Sequence, residues 1–175
     1  MRRLAIVTLA LAALAACGSK EPEVPVGTSH KDRAPITHDE VGVWAFDSID
    51  ARPVSADALR GKPTVLAFVT TDTLPSQAQV NFLLAMAKND GDKVNYALVA
   101  VQPARDRELV ELYQRSLKIP FPIALAGPDA IDGRGPFGEI AGAPTIVVLD
   151  RAGRLAWKHT GLAKSGEIRA QLSGL

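Results

Sequence analysis

The chain is short of sulfur: its 175 residues include one cysteine, Cys17, and two methionines, Met1 and Met86. From Gly18 onward there is no thiol, so that stretch alone cannot build a dithiol pair, a thiolate nucleophile or a soft copper site. Histidine is almost as scarce. Of the three, His30 and His38 stand in a polar stretch without cysteine or clustered carboxylates, and no metal site is expected from them. The 20 Lys and Arg and 19 Asp and Glu are scattered, with a formal charge of +1. That leaves no basic stripe to neutralise a row of phosphates, and nucleic acid is not an expected partner. No apolar run reaches the roughly 20 residues that cross a bilayer, and no internal repeat is visible.

What is present is ordinary globular composition, 47% hydrophobic and 22% charged, enough for one domain with a core. The first residues, MRRLAIVTLALAALAAC, place Arg2 and Arg3 before a neutral and apolar run from Leu4 to Ala16 and end in small residues. These are the parts of an export signal. Leu14-Ala15-Ala16-Cys17 resembles the lipobox of bacterial lipoproteins, which implies cleavage of residues 1–16 and acylation of Cys17. A plain secretory signal with an incidental cysteine is the alternative. Two or more acyl chains give a stable anchor, and acylation consumes the only thiol. Removing residues 1–16 also removes Arg2 and Arg3 and brings the formal charge from +1 to −1. By the same resemblance, Gly18 after the cysteine favours the outer membrane, with the protein lipid-anchored in the cell envelope and facing the periplasm.

Residues 17–40 are polar and proline-dotted (Pro22, Pro25, Pro35) and read as the lipidated cysteine and a tether. About 23 such residues span on the order of 25 Å as a coil. The domain then occupies 41–175. Its expected elements are a short strand in 41–49, a strand buried on both faces in 61–70, and a helix over 76–88 with Val80, Leu83, Leu84 and Ala87 on one stripe. A strand over 94–101, a helix over 106–117, a hairpin of 145–150 and 154–159, and a closing helix over 165–172 complete the set. Strand, helix, strand, helix implies parallel pairing with right-handed crossovers. With the terminal hairpin, the expected fold is α/β, a mixed central sheet flanked by helices on both faces.

Three segments in fixed order, "LRGKPTVLAFVT" (59–70), the turn at 71–76 and "IAGAPTIVVLDRAGRL" (140–155), resemble the thioredoxin-like superfamily. The resemblance is greatest to its TlpA/ResA branch of membrane-tethered thiol-disulfide oxidoreductases. It covers residues 42–175 and implies a thioredoxin-like fold with a cis peptide at Ala143-Pro144 beside the active turn. Lined up on Phe68, the two family cysteines fall on Thr73 and Ser76. Alignment to the Thr-x-x-Cys pattern of peroxiredoxins instead gives Thr73-Leu74-Pro75-Ser76, again with the reacting cysteine replaced.

The family chemistry uses a helix N-terminus to lower a thiol pKa from about 8.5 into the range of about 3.5 to 7.5. A hydroxyl starts too high to be ionised that way, and oxygen forms no exchangeable bridge. No residue is therefore named as catalytic. Asp72 has no histidine near it in the chain, and His159 lies on the far strand of the hairpin. Thr73 is expected to cap the helix through its Oγ, with Pro75 in the first turn and Asp72 favourably placed against the dipole. A Sco-type copper site would need two thiolates, where the mature chain offers only Met86. No cofactor is expected. The resemblance also implies a groove beside the cis proline in which Ala143 pairs with a polypeptide as a strand would. Thr73, Leu74, Pro75, Ala143 and Pro144 are the expected contacts, with Phe137 of the Gly- and Pro-rich loop 126–140 either over the groove or turned into the core. Two other readings stay open: an oxidoreductase working through a cofactor or a partner's cysteine, and a structural spacer or assembly domain.

Overall fold

The computed structural model describes residues 40–175. The signal segment, Cys17, His30, His38 and the tether through residue 39 lie outside the described residues. Strand β1 (Ala45–Ser48) and the two-residue β2 (Val54–Ser55) lead into the one-turn helix α1 (Ala56–Leu59). Then come β3 (Thr64–Val69), α2 (Leu74–Asp90), β4 (Asn95–Ala100), α3 (Arg107–Leu117) and β5 (Ile123–Leu125). The short α4 (Pro128–Ile131), β6 (Thr145–Leu149), β7 (Leu155–Thr160) and α5 (Ser165–Leu172) follow.

The strands form one sheet in the order β2-β1-β5-β4-β3-β6-β7. β3, β4 and β5 are parallel neighbours, and β6, β7, β1 and β2 run antiparallel to theirs. The chain forms this mixed α/β sheet because β3 (TVLAFV) is buried at every position and thus needs cover on both faces. On one face Val65, Ala67 and Val69 pack with Val80, Leu83 and Met86 of α2, Val110 of α3 and Ile168 of α5. On the other, Leu66 and Phe68 meet Ala56 and Leu59 of α1, Ala130 of α4 and an aromatic group of Trp44, Phe46 and Phe137. Helices thus lie on both faces, but the three long ones share one face. The second face is covered by single turns and irregular chain.

Several boundaries differ from the sequence reading. Helix α2 begins at Leu74 and keeps Met86 buried, while Leu84 and Ala87 are half-buried. The strand expected over 41–49 shortens to Ala45–Ser48. It ends where Asp50 folds onto Arg52, through Nε at 3.1 Å and the backbone N–H at 2.8 Å. Short β2, α1, β5 and α4 were not anticipated.

Candidate functional site

At the carboxyl end of β3 the chain turns through Thr70–Thr73 into α2. Thr73 occupies the N-cap position in extended backbone, but its side chain makes no capping bond. The expected cap through Oγ is therefore corrected. The Thr73 hydroxyl instead donates to Ser76 Oγ at 2.9 Å and shares a 2.9 Å contact with Thr70 Oγ1. Ser76 Oγ also accepts the backbone N–H of Thr70 at 3.1 Å. Three hydroxyls and one amide thus satisfy one another, and Ser76 is fully buried. A buried hydroxyl whose lone pairs already take two donors is a structural tie rather than a reachable nucleophile.

No hydrogen bond among the described residues joins His159 to Thr73 or Ser76, and its ring stacks on Trp157 with centroids 5.3 Å apart. Asp72 is exposed. The base that would activate an oxygen nucleophile is therefore not assembled here.

Ser76 and Gln79 interrupt the apolar stripe of α2 on its buried side. Gln79 Oε1 accepts the N–H of Ala163 at 2.8 Å, and Gly161 donates to the Pro144 carbonyl at 2.8 Å. Gly161 adopts a φ of +101°, which a side chain would strain. The loop after β7 thereby ties the start of α2 to the segment before β6. Thr70, Gln79, Gly161 and Ala163 were missed by sequence reasoning. Two polar residues on an otherwise apolar helical stripe, Ser76 and Gln79, were the signal that could have found them.

The Ala143-Pro144 peptide is cis. Thr145, which follows it, sits opposite Phe68 in the β3–β6 ladder, and its hydroxyl donates to the Gly142 carbonyl at 2.6 Å. The β3–β6 ladder ends at this Phe68–Thr145 pair, so the cis peptide lies just past the ladder, at the end of β3 that leads into the turn. Pro144 is buried and Ala143 half-buried, and no hydrogen bond among the described residues engages the N–H or C=O of Ala143. Leu74, 79% exposed, and Pro75, also exposed, form an apolar ledge at the first turn of α2.

Phe137 does not belong to this ledge. It is 5% exposed, its ring edge-on to Trp44 at 5.2 Å and to Phe68 at 5.9 Å, so its expected role as a surface contact is corrected. Burial of an aromatic ring among three others outweighs exposure at a groove. Lys158 of β7 fixes this part of the loop, its Nζ donating to the carbonyls of Phe137, at 2.9 Å, and of Glu139.

No protein-family model and no curated protein matches the sequence. Solved structures do match, and their fold is thioredoxin-like. A thioredoxin-family thiol:disulfide interchange protein from Chlorobium tepidum aligns with a TM-score of 0.63 at 21% identity, over 75% of this chain and 92% of its own. StoA from Bacillus subtilis aligns with a TM-score of 0.59 at 18% identity, over 75% and 97%. An exposed lipoprotein thioredoxin from Streptococcus pneumoniae aligns with a TM-score of 0.63 at 16% identity, over 77% and 100%. What the chain shares with these structures is the thioredoxin-like fold. Hydroxyls stand at the two positions where the resemblance expects thiols. No helix among the described residues is long and apolar enough to cross a membrane.

Proposed function

We propose that this is a lipid-anchored protein of the cell envelope whose thioredoxin-like domain carries out no thiol exchange and binds a polypeptide partner beside the cis-proline segment. The observation that carries the reading is the main chain of Ala143, without a hydrogen-bond partner among the described residues, next to a turn whose hydroxyls bond to one another and to the Thr70 amide. An extended partner would pair with Ala143 and lay apolar side chains on Leu74, Pro75 and the exposed part of Thr73, a mode that needs main-chain groups rather than sulfur. Anchoring at Cys17 follows from the lipobox-like sequence, with the outer membrane favoured by Gly18.

The test is photocrosslinking in cells from a probe amino acid at position 143 or 73, with a probe at the exposed Arg151 as control. One discrete polypeptide captured from 143 and 73 and absent from 151 is the expected result. Equal capture from all three positions, or none from 143 and 73, contradicts it.

A further inference from the structure

A second unpaired edge lies on the same end of the sheet, two strands away from β3. β1 and β5 pair through Asp47 with Leu125 and Ser48 with Ala124. The next pairs in that register would be Phe46 with Ala126 and Ala45 with Gly127, and neither forms. Gly127 turns away to start α4, its carbonyl takes the N–H groups of Ala130 and Ile131, and Pro128 has no N–H to offer. The strands part around a cleft of about 550 Å³.

The main chain of Ala45 faces this cleft. Trp44 directs its carbonyl to Ala56 on the β2 side, while Ile49 donates to Ile123 on the β5 side. Main-chain groups alternate sides along a strand, so the N–H and C=O of Ala45 point toward β5. They have no partner among the described residues. One wall of the cleft is apolar, from Val43, Trp44, Phe46 and Pro136, and Val43 is 95% exposed. An added Cβ at Gly42 or Gly127 meets nothing within 4 Å, so a ligand can approach the backbone closely there. Asp129 and Arg134 line the mouth, and the Arg134 guanidinium pairs at 3.0 Å both with Asp129 and with Asp132 beside it. The net charge of that trio is negative.

We infer that this cleft binds an extended polypeptide segment by adding it as a strand against Ala45, with apolar side chains on the Trp44 and Phe46 wall and basic residues flanking them. An unpaired strand edge recognises main chain, alternate side chains supply selectivity, and the acidic mouth favours cationic flanks. The site is separate from the cis-proline segment and stands on different residues.

The probe is the peptide acetyl-Lys-Val-Val-Lys-amide, titrated into the full chain carrying Cys17→Ser and followed by the backbone amide resonances of Val43 and Ala45. Gly127→Leu blocks the cleft without strain, because Gly127 has a φ of −68° and a ψ of 167°, allowed to any residue. The expected result is saturable binding with shifts at 43 and 45. At least tenfold weaker binding is expected for Gly127→Leu, for the peptide N-methylated at both valines, and for its Glu-flanked counterpart. Leu74→Asp, which would impair the cis-proline ledge, leaves this binding unchanged. Binding that is unaffected by Gly127→Leu or by N-methylation, a preference for the Glu-flanked peptide, or no saturable binding would overturn the inference. None of these outcomes bears on capture from position 143.

Discussion

The hydroxyl of Thr73 donates to the hydroxyl of Ser76 across 2.9 Å, one helical turn apart and at the two positions where the resemblance expects a dithiol. The spacing that suits exchange between sulfurs serves here as a hydrogen bond that closes the turn onto α2.

Ser76 is therefore worth more to stability than Thr73. Ser76→Ala leaves the Thr70 amide without its acceptor in a partly buried place, which costs about 1–2 kcal/mol. Thr73→Ala removes a donor from a half-exposed position with no capping bond to lose, and costs less than about 1 kcal/mol. Urea unfolding of the two variants checks the order, and a costlier Thr73→Ala would contradict it.

Introducing sulfur should introduce chemistry. With both Oγ atoms 2.9 Å apart at the start of a 17-residue helix, the double variant Thr73→Cys with Ser76→Cys is expected to close an intramolecular disulfide. It should also acquire thiol-disulfide exchange, since the helix N-terminus stabilises a thiolate. Mass spectrometry after alkylation reads the bond, and dithiothreitol-driven insulin reduction reads the activity. Two free thiols after mild oxidation would show that the turn is not a dithiol scaffold.

Phe137 and Leu74 separate packing from recognition. Phe137→Ala opens the aromatic group with Trp44, Phe46 and Phe68 and should lower stability by about 3 kcal/mol or more, with Tm falling by about 10 °C. Leu74→Asp alters an exposed side chain at a helix N-terminus and should leave Tm within about 2 °C while weakening partner capture from position 143. Thermal unfolding followed by circular dichroism distinguishes the two.

Asp50 gives the fold an acid limit. Hydrogen bonds from the Arg52 side chain, with a further one from Gln114 Nε2 at 2.9 Å, outweigh burial and bring its pKa down to about 2. Since the folded value lies below the unfolded one, the ionised carboxylate contributes fully above about pH 4, and that contribution is lost as pH falls through about 2. The side chain is partly exposed, so the contribution is on the order of 1 kcal/mol. Asp50→Asn should flatten the pH dependence of stability between about 4 and 2, and an unchanged slope would assign that dependence to other carboxylates.

How far the chain could be read in advance depended on run length. The fully apolar β3 and the hairpin through Asp150, Arg151 and Gly153 were legible, because several residues in succession spoke for one conformation. β5 has three residues, Ile123–Leu125, between Pro122 and Gly127, and its place in the sheet is set by pairing with Leu98 to Ala100 and with Asp47 and Ser48. That information is distant in sequence. The same holds for Phe137, whose burial depends on rings at 44, 46 and 68. Thr73 failed as a cap for a local reason. Its hydroxyl could bond an amide of α2 or the hydroxyls of Thr70 and Ser76, and only the three-dimensional turn decides between them.

The most direct test of the account is the rate at which the wild-type protein purified from cells, in detergent micelles, catalyses insulin disulfide reduction by dithiothreitol. A rate equal to that of the micelles alone is predicted. A rate within tenfold of an active thioredoxin-like oxidoreductase would contradict the claim that this domain performs no sulfur chemistry.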